Sequence, residues 1–351
     1  MYNTVMKRHA IIPLFIPHRG CPHRCVFCDQ KTITARSAPV TAADVRRTVA
    51  QYLPTLRGRG LEAIELAFYG GSFTGIPATE QTELLDAACD CKRRGLIDRI
   101  RLSTRPDFID KTVLDRLRRY AVDTVELGAQ SFDPEVLARS RRGHTAEDIE
   151  RACRMLREAG FAFGIQLMIG LPGDTREKAV HSAQRAAALA PQQARLYPTV
   201  VLPHTELAEM TRRGEYRPLS EEEAVATTAA MYRILDRAGV TILRVGLKST
   251  DLITPAADLG GGYHPAFRQL VEGRLARENV DRQLARLCRG TPPQLPPALR
   301  IEADSRCFSA LIGHKACNRR RWERLWPGTR FHWHINHDLK DGEYCVKILT
   351  S

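Results

Sequence analysis

The chain has 351 residues, 43% apolar and 26% charged, the composition of an ordinary globular protein with length for one large domain, or one domain plus a smaller appendage. No stretch approaches about eighteen consecutive apolar residues, so no membrane span is expected, and ten cysteines are too few for a disulfide scaffold. The net charge is +13, and the segment from Ala266 to Ser351 holds sixteen Lys/Arg against nine Asp/Glu, an excess that invites an acidic partner such as nucleic acid.

The N-terminal apolar run "HAIIPLFIP" (9–17) holds two prolines and has no small-residue cleavage site, so it reads as a first strand and not a leader. Reduced thiols and a cytoplasmic location are expected. Next comes "GCPHRCVFCDQ", which sets Cys21, Cys25 and Cys28 in a C-x3-C-x2-C spacing. Thr41 with Asp44 forms a capping-box start for a helix to about Tyr52. Further strands are predicted over 62–70, 98–104 and 122–130, followed respectively by "YGGSFTG", "STRPD" and "GAQSF". "TAEDIERACRMLREAG" puts Ile149, Ala152, Cys153, Leu156 and Ala159 on one helical face and stops at Gly160. A strand over 161–170 runs into "GLPGDT", and one over 194–201 runs into "YPTVVLPHTEL". A helix capped by Ser220 extends to Gly239, before a last strand over 240–246.

Strand and helix alternate about six times and then stop. This predicts parallel strands with right-handed crossovers in a partial (βα)6 TIM-like barrel over residues 1–250. In such folds chemistry belongs at the C-terminal ends of strands, where each unusual loop falls. Residues 251–298 read as a helical and proline-rich connection, with "GTPPQLPPALR" as a stiff linker. Residues 299–351 form a small basic α+β module.

Three thiolates can hold three irons of a [4Fe–4S] cluster and leave the fourth open, whereas clusters kept for electron transfer usually take four. The alternative is zinc, with His23 or His18 completing Cys21, Cys25 and Cys28.

"CPHRCVFC" resembles the signature of the radical S-adenosylmethionine superfamily, with Phe27 just before the last cysteine. "YGGSF", "ELGAQS" and "IGLPG" resemble later motifs of that family. "RRGHT" and "YPT" bring the chain close to the radical domain of the Elongator catalytic subunit. The resemblance covers about residues 9 to 250. It implies a [4Fe–4S] cluster on the three cysteines and S-adenosylmethionine on the open iron, cleaved by one electron to a 5′-deoxyadenosyl radical. Gly70, Gly71 and Ser72, with Phe27, Ser103, Arg105, Gln130, Arg142 and Gln166, are the implied cofactor-binding residues. Arg105 and Arg142 are the candidates for its carboxylate, because a guanidinium binds one in bidentate fashion. A low-potential donor such as ferredoxin or flavodoxin is implied too. Elongator-like enzymes add an acetyltransferase domain. No glycine-rich acyl-CoA loop is read after residue 250, so acetyl-dependent tRNA chemistry is not carried over.

In the basic module, strand, helix, "LIGHKA", helix and strand look like a KH domain, whose GXXG loop clamps a nucleic-acid backbone. Gly313 and Lys315 would fill the loop and Arg319, Arg320 and Arg321 would meet phosphates, although Ala316 replaces the second glycine. The expected function is a radical S-adenosylmethionine enzyme acting on RNA such as tRNA. A small metabolite or tetrapyrrole is the alternative substrate, and a non-catalytic zinc RNA-binding protein is the alternative class.

Overall fold

The computed structural model describes residues 9–16, 21, 23–29, 38–247, 260–288 and 295–349. His18 and residues 290–294 of the proline-rich linker lie outside them. Seven parallel strands form one curled sheet: β1 (His9–Phe15), β2 (Ala63–Tyr69), β3 (Arg99–Thr104), β4 (Thr124–Gln130), β5 (Ala162–Ile169), β6 (Gln193–Pro198) and, after the two-residue β7 (Val200–Val201), β8 (Thr241–Val245). Their spatial order follows the chain, β1-β2-β3-β4-β5-β6-β8, so six crossovers build a half-barrel, as the alternation predicts.

Helices α1 (Ala42–Leu56), α2 (Ala78–Arg93), α3 (Lys111–Arg119), α5 (Ala146–Glu158), α6 (Arg176–Ala188) and α8 (Glu221–Arg237) cover the outer face, while the short α4 (Pro134–Arg139) and α7 (Glu206–Arg212) follow β4 and β7. Capping boxes start α1, α5 and α8 at Thr41, Thr145 and Ser220. Helix α1 continues one turn beyond Tyr52 and carries Pro54 in its last turn. Alternate strand residues such as Ile12, Leu66, Ile100, Val125 and Ile165 point outward and bury completely against these helices.

The other set points into the half-barrel, and it is charged. Arg101, fully buried, donates from Nε to Glu65 at 2.7 Å and from Nη1 to Glu126 at 3.5 Å. Arg195 donates from Nε to Glu126 at 2.7 Å and from another nitrogen to the Tyr69 hydroxyl. The four charged residues lie on four different strands, β2, β3, β4 and β6, and each carboxylate faces a guanidinium, so the layer is an ionic floor that meets the condition for burying charge. Burial is also the main reason the Tyr69 phenol is held protonated far above its usual range.

A two-residue strand β9 (Gly260–Gly261) pairs with β7. Helix α9 (Phe267–Leu287) then joins two cores. Phe267, Val271 and Leu275 belong to the half-barrel core, while Ala276, Val280 and Leu284 belong to a second, C-terminal one. That second core lies under a three-stranded sheet of β10 (Ala298–Ala303), β11 (Arg330–Ile335) and β12 (Tyr344–Ile348), in the order β11-β10-β12. It is closed by α10 (Phe308–Ile312) and α11 (Cys317–Leu325). Trp322 of α11 is fully buried, stacks on Trp333 and donates to Asp281 at 2.6 Å.

Candidate active site at the C-terminal ends of the strands

The cysteine loop leaves β1 and is tied to two neighbours through Val26, which is buried. The Val26 amide donates to the Ser140 carbonyl at 3.2 Å, and the Val26 carbonyl accepts from Leu207 at 2.8 Å. The Cys28 amide closes a turn on the Cys25 carbonyl at 3.1 Å. Phe27 packs with Val26, Val201, Leu207 and Tyr216, so its ring secures the loop to the segment that follows β6.

Two guanidiniums stand at the sulfurs. Arg142, itself buried, places Nη1 3.2 Å from Cys25 Sγ and donates from Nη2 to the Gly128 carbonyl at 2.7 Å. Arg105 lies 4.0 Å from Cys21 Sγ, donates to the Arg142 carbonyl at 2.5 Å, and is gripped in bidentate fashion by Asp107 at 3.0 Å. Both residues expected on sequence grounds to bind a carboxylate therefore also touch thiol sulfurs. Cationic N–H donors beside thiolates suit an anionic iron–sulfur cluster, and the buried Nε of Arg142 has no partner among the described residues. On these observations the residues present fit the group.

His144, from the "RRGHT" stretch, was not singled out by sequence. It is buried, and its Nε2 donates to the Ala129 carbonyl at 3.2 Å. Burial, with Arg142 and Arg105 nearby, pushes its pKa down to about 3, so the ring is neutral. Gly143 was also passed over. Its φ is +71°, and a Cβ there would lie 2.2 Å from the His23 ring. The His23 ring thus occupies the space that a side chain at Gly143 would need. Among the described residues no three Cys, His, Asp or Glu side chains gather tightly enough for a single metal ion.

The remaining expected residues ring the same end of the barrel. Gly70 and Gly71 both take left-handed φ, +79° and +43°, where β2 turns out of the sheet. Ser72 is buried at the start of a 3-10 turn over Phe73–Gly75. A bulge between Gly128 and Gln130 turns Gln130 to φ +69°, and its Oε1 accepts from Gln166 at 3.1 Å. Ser103 donates to Glu126 at 3.3 Å, which joins the rim to the ionic floor. Gly313, Lys315, Arg319, Arg320 and Arg321 are gathered instead in the C-terminal module. Gly313 has φ +82° and Lys315 lies in the 3-10 turn His314–Ala316. Arg319 pairs with Glu323 at 2.8 Å, Arg320 donates to the Lys315 carbonyl, and Arg321 lies 3.6 Å from Asp281.

Residues 15–186 match the model of the Radical SAM superfamily, and residues 191–277 match that of the Radical_SAM C-terminal domain. The chain is 28% identical over 255 residues to the tRNA uridine(34) acetyltransferase of Methanocaldococcus infernus, covering 62% of this chain and 48% of that one. It is 26% identical to the heme chaperone HemW of Bacillus subtilis, covering 58% of this chain and 55% of that one. The chain thus spans about half the length of these relatives. The solved archaeal Methanocaldococcus infernus Elp3 with an N-terminal deletion superposes with a TM-score of 0.61 at 21% identity, over 78% of this chain and 64% of that one. That likeness concerns the fold. No helix among the described residues is long and apolar enough to cross a membrane. Family membership sets aside the non-catalytic zinc protein. The chain belongs to the radical S-adenosylmethionine superfamily and is an enzyme of that class, whose cofactors are a [4Fe–4S] cluster and S-adenosylmethionine.

Proposed function

We propose that this enzyme modifies RNA, with tRNA as the substrate class, and that its C-terminal module holds the RNA while the half-barrel carries the chemistry. The observation that carries the reading is the cysteine loop with Arg142 and Arg105 at its sulfurs, in a chain that also has a separate basic module. Relatives named for uridine 34 of tRNA support the choice of substrate. The acetyl transfer in those names is not part of the proposal.

Cys21, Cys25 and Cys28 hold the cluster. When bound, the cluster and S-adenosylmethionine supply a 5′-deoxyadenosyl radical, given one electron from a low-potential donor such as ferredoxin or flavodoxin. The chain's own residues have narrower tasks. Arg142 and Arg105 keep positive charge at the thiolates, and Gly70 and Gly71 leave backbone open to the cofactor's amino group. Ser72, Ser103, Gln130 and Gln166 offer polar contacts around it, and Phe27 fixes the loop. Glu65, Arg101, Glu126 and Arg195 close the barrel floor against water, which protects a reactive centre.

Anaerobic reconstitution with iron and sulfide, followed by assay for 5′-deoxyadenosine under dithionite, tests the radical chemistry. Comparison of modified nucleosides in tRNA from a deletion strain and its parent tests the substrate. A nucleoside lost in the deletion strain supports the proposal. Identical nucleosides, with altered porphyrin content instead, would favour a tetrapyrrole, the reading that the HemW relative supports.

A further inference from the structure

The C-terminal sheet turns one face to its core and leaves the other open. Leu299, Ile301 and Ala303 of β10, with Trp333 of β11, point inward. The alternate positions point outward: Arg300 and Glu302 on β10, Arg330, His332 and His334 on β11, and Lys347 on β12. The strand register sets His332, Arg300 and Lys347 in one row across the three strands, about 10 Å wide at normal strand spacing. Arg330, His332, His334 and Lys347 are exposed, as is 43% of the Arg300 side chain.

The only acid among these outward positions is Glu302, and it is buried beneath the cations. It accepts from Lys347 at 2.7 Å and from Asn336 at 2.9 Å, with Arg300 at 3.8 Å. Like charges directly opposite on paired strands are destabilising, and Arg300 faces Lys347 in such a pair. One carboxylate cannot neutralise both. The face therefore retains uncompensated positive charge on a rigid sheet. In contrast, Arg319, Arg320 and Arg321 of α11 are engaged by Glu323, the Lys315 carbonyl and Asp281. No Phe, Tyr or Trp is among these outward positions, so the face offers mainly charge, which suits a sugar–phosphate backbone of any sequence.

We infer that the outer face of β10–β12 is the RNA-backbone-binding surface, with Arg300, Arg330 and Lys347 meeting consecutive phosphates and His332 completing the row. The inference rests on the RNA reading above and names its docking surface. It is tested with the full chain and an in vitro transcribed tRNA, by equilibrium binding over a salt series. The variant Arg330→Ala with Lys347→Gln is expected to weaken binding about tenfold. It should also flatten the plot of log Kobs against log salt by about 1.4, or 0.7 per lost phosphate contact. Arg319→Ala with Arg320→Ala should leave that slope unchanged, and Arg330→Lys with Lys347→Arg should retain wild-type affinity. Wild-type binding that survives the sheet variant with an unchanged slope overturns the inference and leaves the RNA reading standing. No tRNA binding by wild type at about 50 mM salt overturns the RNA reading itself, and this surface with it.

Discussion

Arg142 joins the cysteine loop to the fourth strand: its guanidinium reaches the Cys25 sulfur with one nitrogen and the Gly128 carbonyl with the other. A donor to a cluster thiolate favours the reduced, more negative cluster. Arg142→Met should therefore lower the reduction potential of the reconstituted cluster. A differential loss of about 1.4 kcal/mol corresponds to about 59 mV for one electron. An EPR-monitored redox titration reads the shift, and normal iron content with an unchanged potential would contradict it.

Gly143 tolerates no side chain, for two separate reasons. Its left-handed φ alone costs a non-glycine residue about 1–2 kcal/mol, and a Cβ would enter the His23 ring. Gly143→Ala should lower the thermal midpoint and the iron bound after reconstitution. Adding His23→Ala should recover the steric part and leave the backbone part. A double-mutant cycle with no coupling between the two positions would show that the ring contact carries no energy.

Arg101→Met strands Glu65 and Glu126 in the barrel floor without their shared cation. Breaking a buried pair by removing one partner costs about 3–5 kcal/mol. Urea unfolding should show a large fall in midpoint, and a change below about 1 kcal/mol would mean that Arg195 alone can hold Glu126.

His144 gives stability a pH dependence of known sign. Unfolded, its imidazole takes a proton near pH 6.5, and folded only near about 3. Between those values the unfolded chain binds more protons, so stability falls as pH falls through the window. His144→Gln can still donate to the Ala129 carbonyl but does not titrate. Its urea midpoint should therefore drop less than wild type between about pH 7 and pH 5. Parallel curves for the two proteins would overturn the assignment.

The strand order was legible because each parallel strand is a short, largely apolar run bounded by turn residues or a helical pattern, and the observed strands fall within a few residues of the expected ranges. The helix starts at Thr41 and Ser220 were legible because capping is local chemistry. The cysteine loop was visible for the same reason. The ionic floor was not read, although Glu65, Arg101, Glu126 and Arg195 interrupt four apolar strands at inward positions. A charge in mid-strand signals a partner but does not say which. Arg101 and Gln193, in contact at 2.5 Å, are 92 positions apart. His144 escaped notice for a similar reason, since its neighbours Ala129 and Asp107 are assembled only by the fold.

Helix α9 has a thermodynamic consequence. Because Phe267 to Leu275 belong to one core and Ala276 to Leu284 to the other, neither core is complete without the same continuous rod, about 31 Å long. Melting either side strips apolar contacts from a helix that the other side needs, which couples the two transitions. Calorimetry should therefore record one cooperative endotherm for the whole chain. A cut ahead of β10 would leave Ala276, Val280 and Leu284 facing water on an otherwise folded barrel, a stripe prone to self-association.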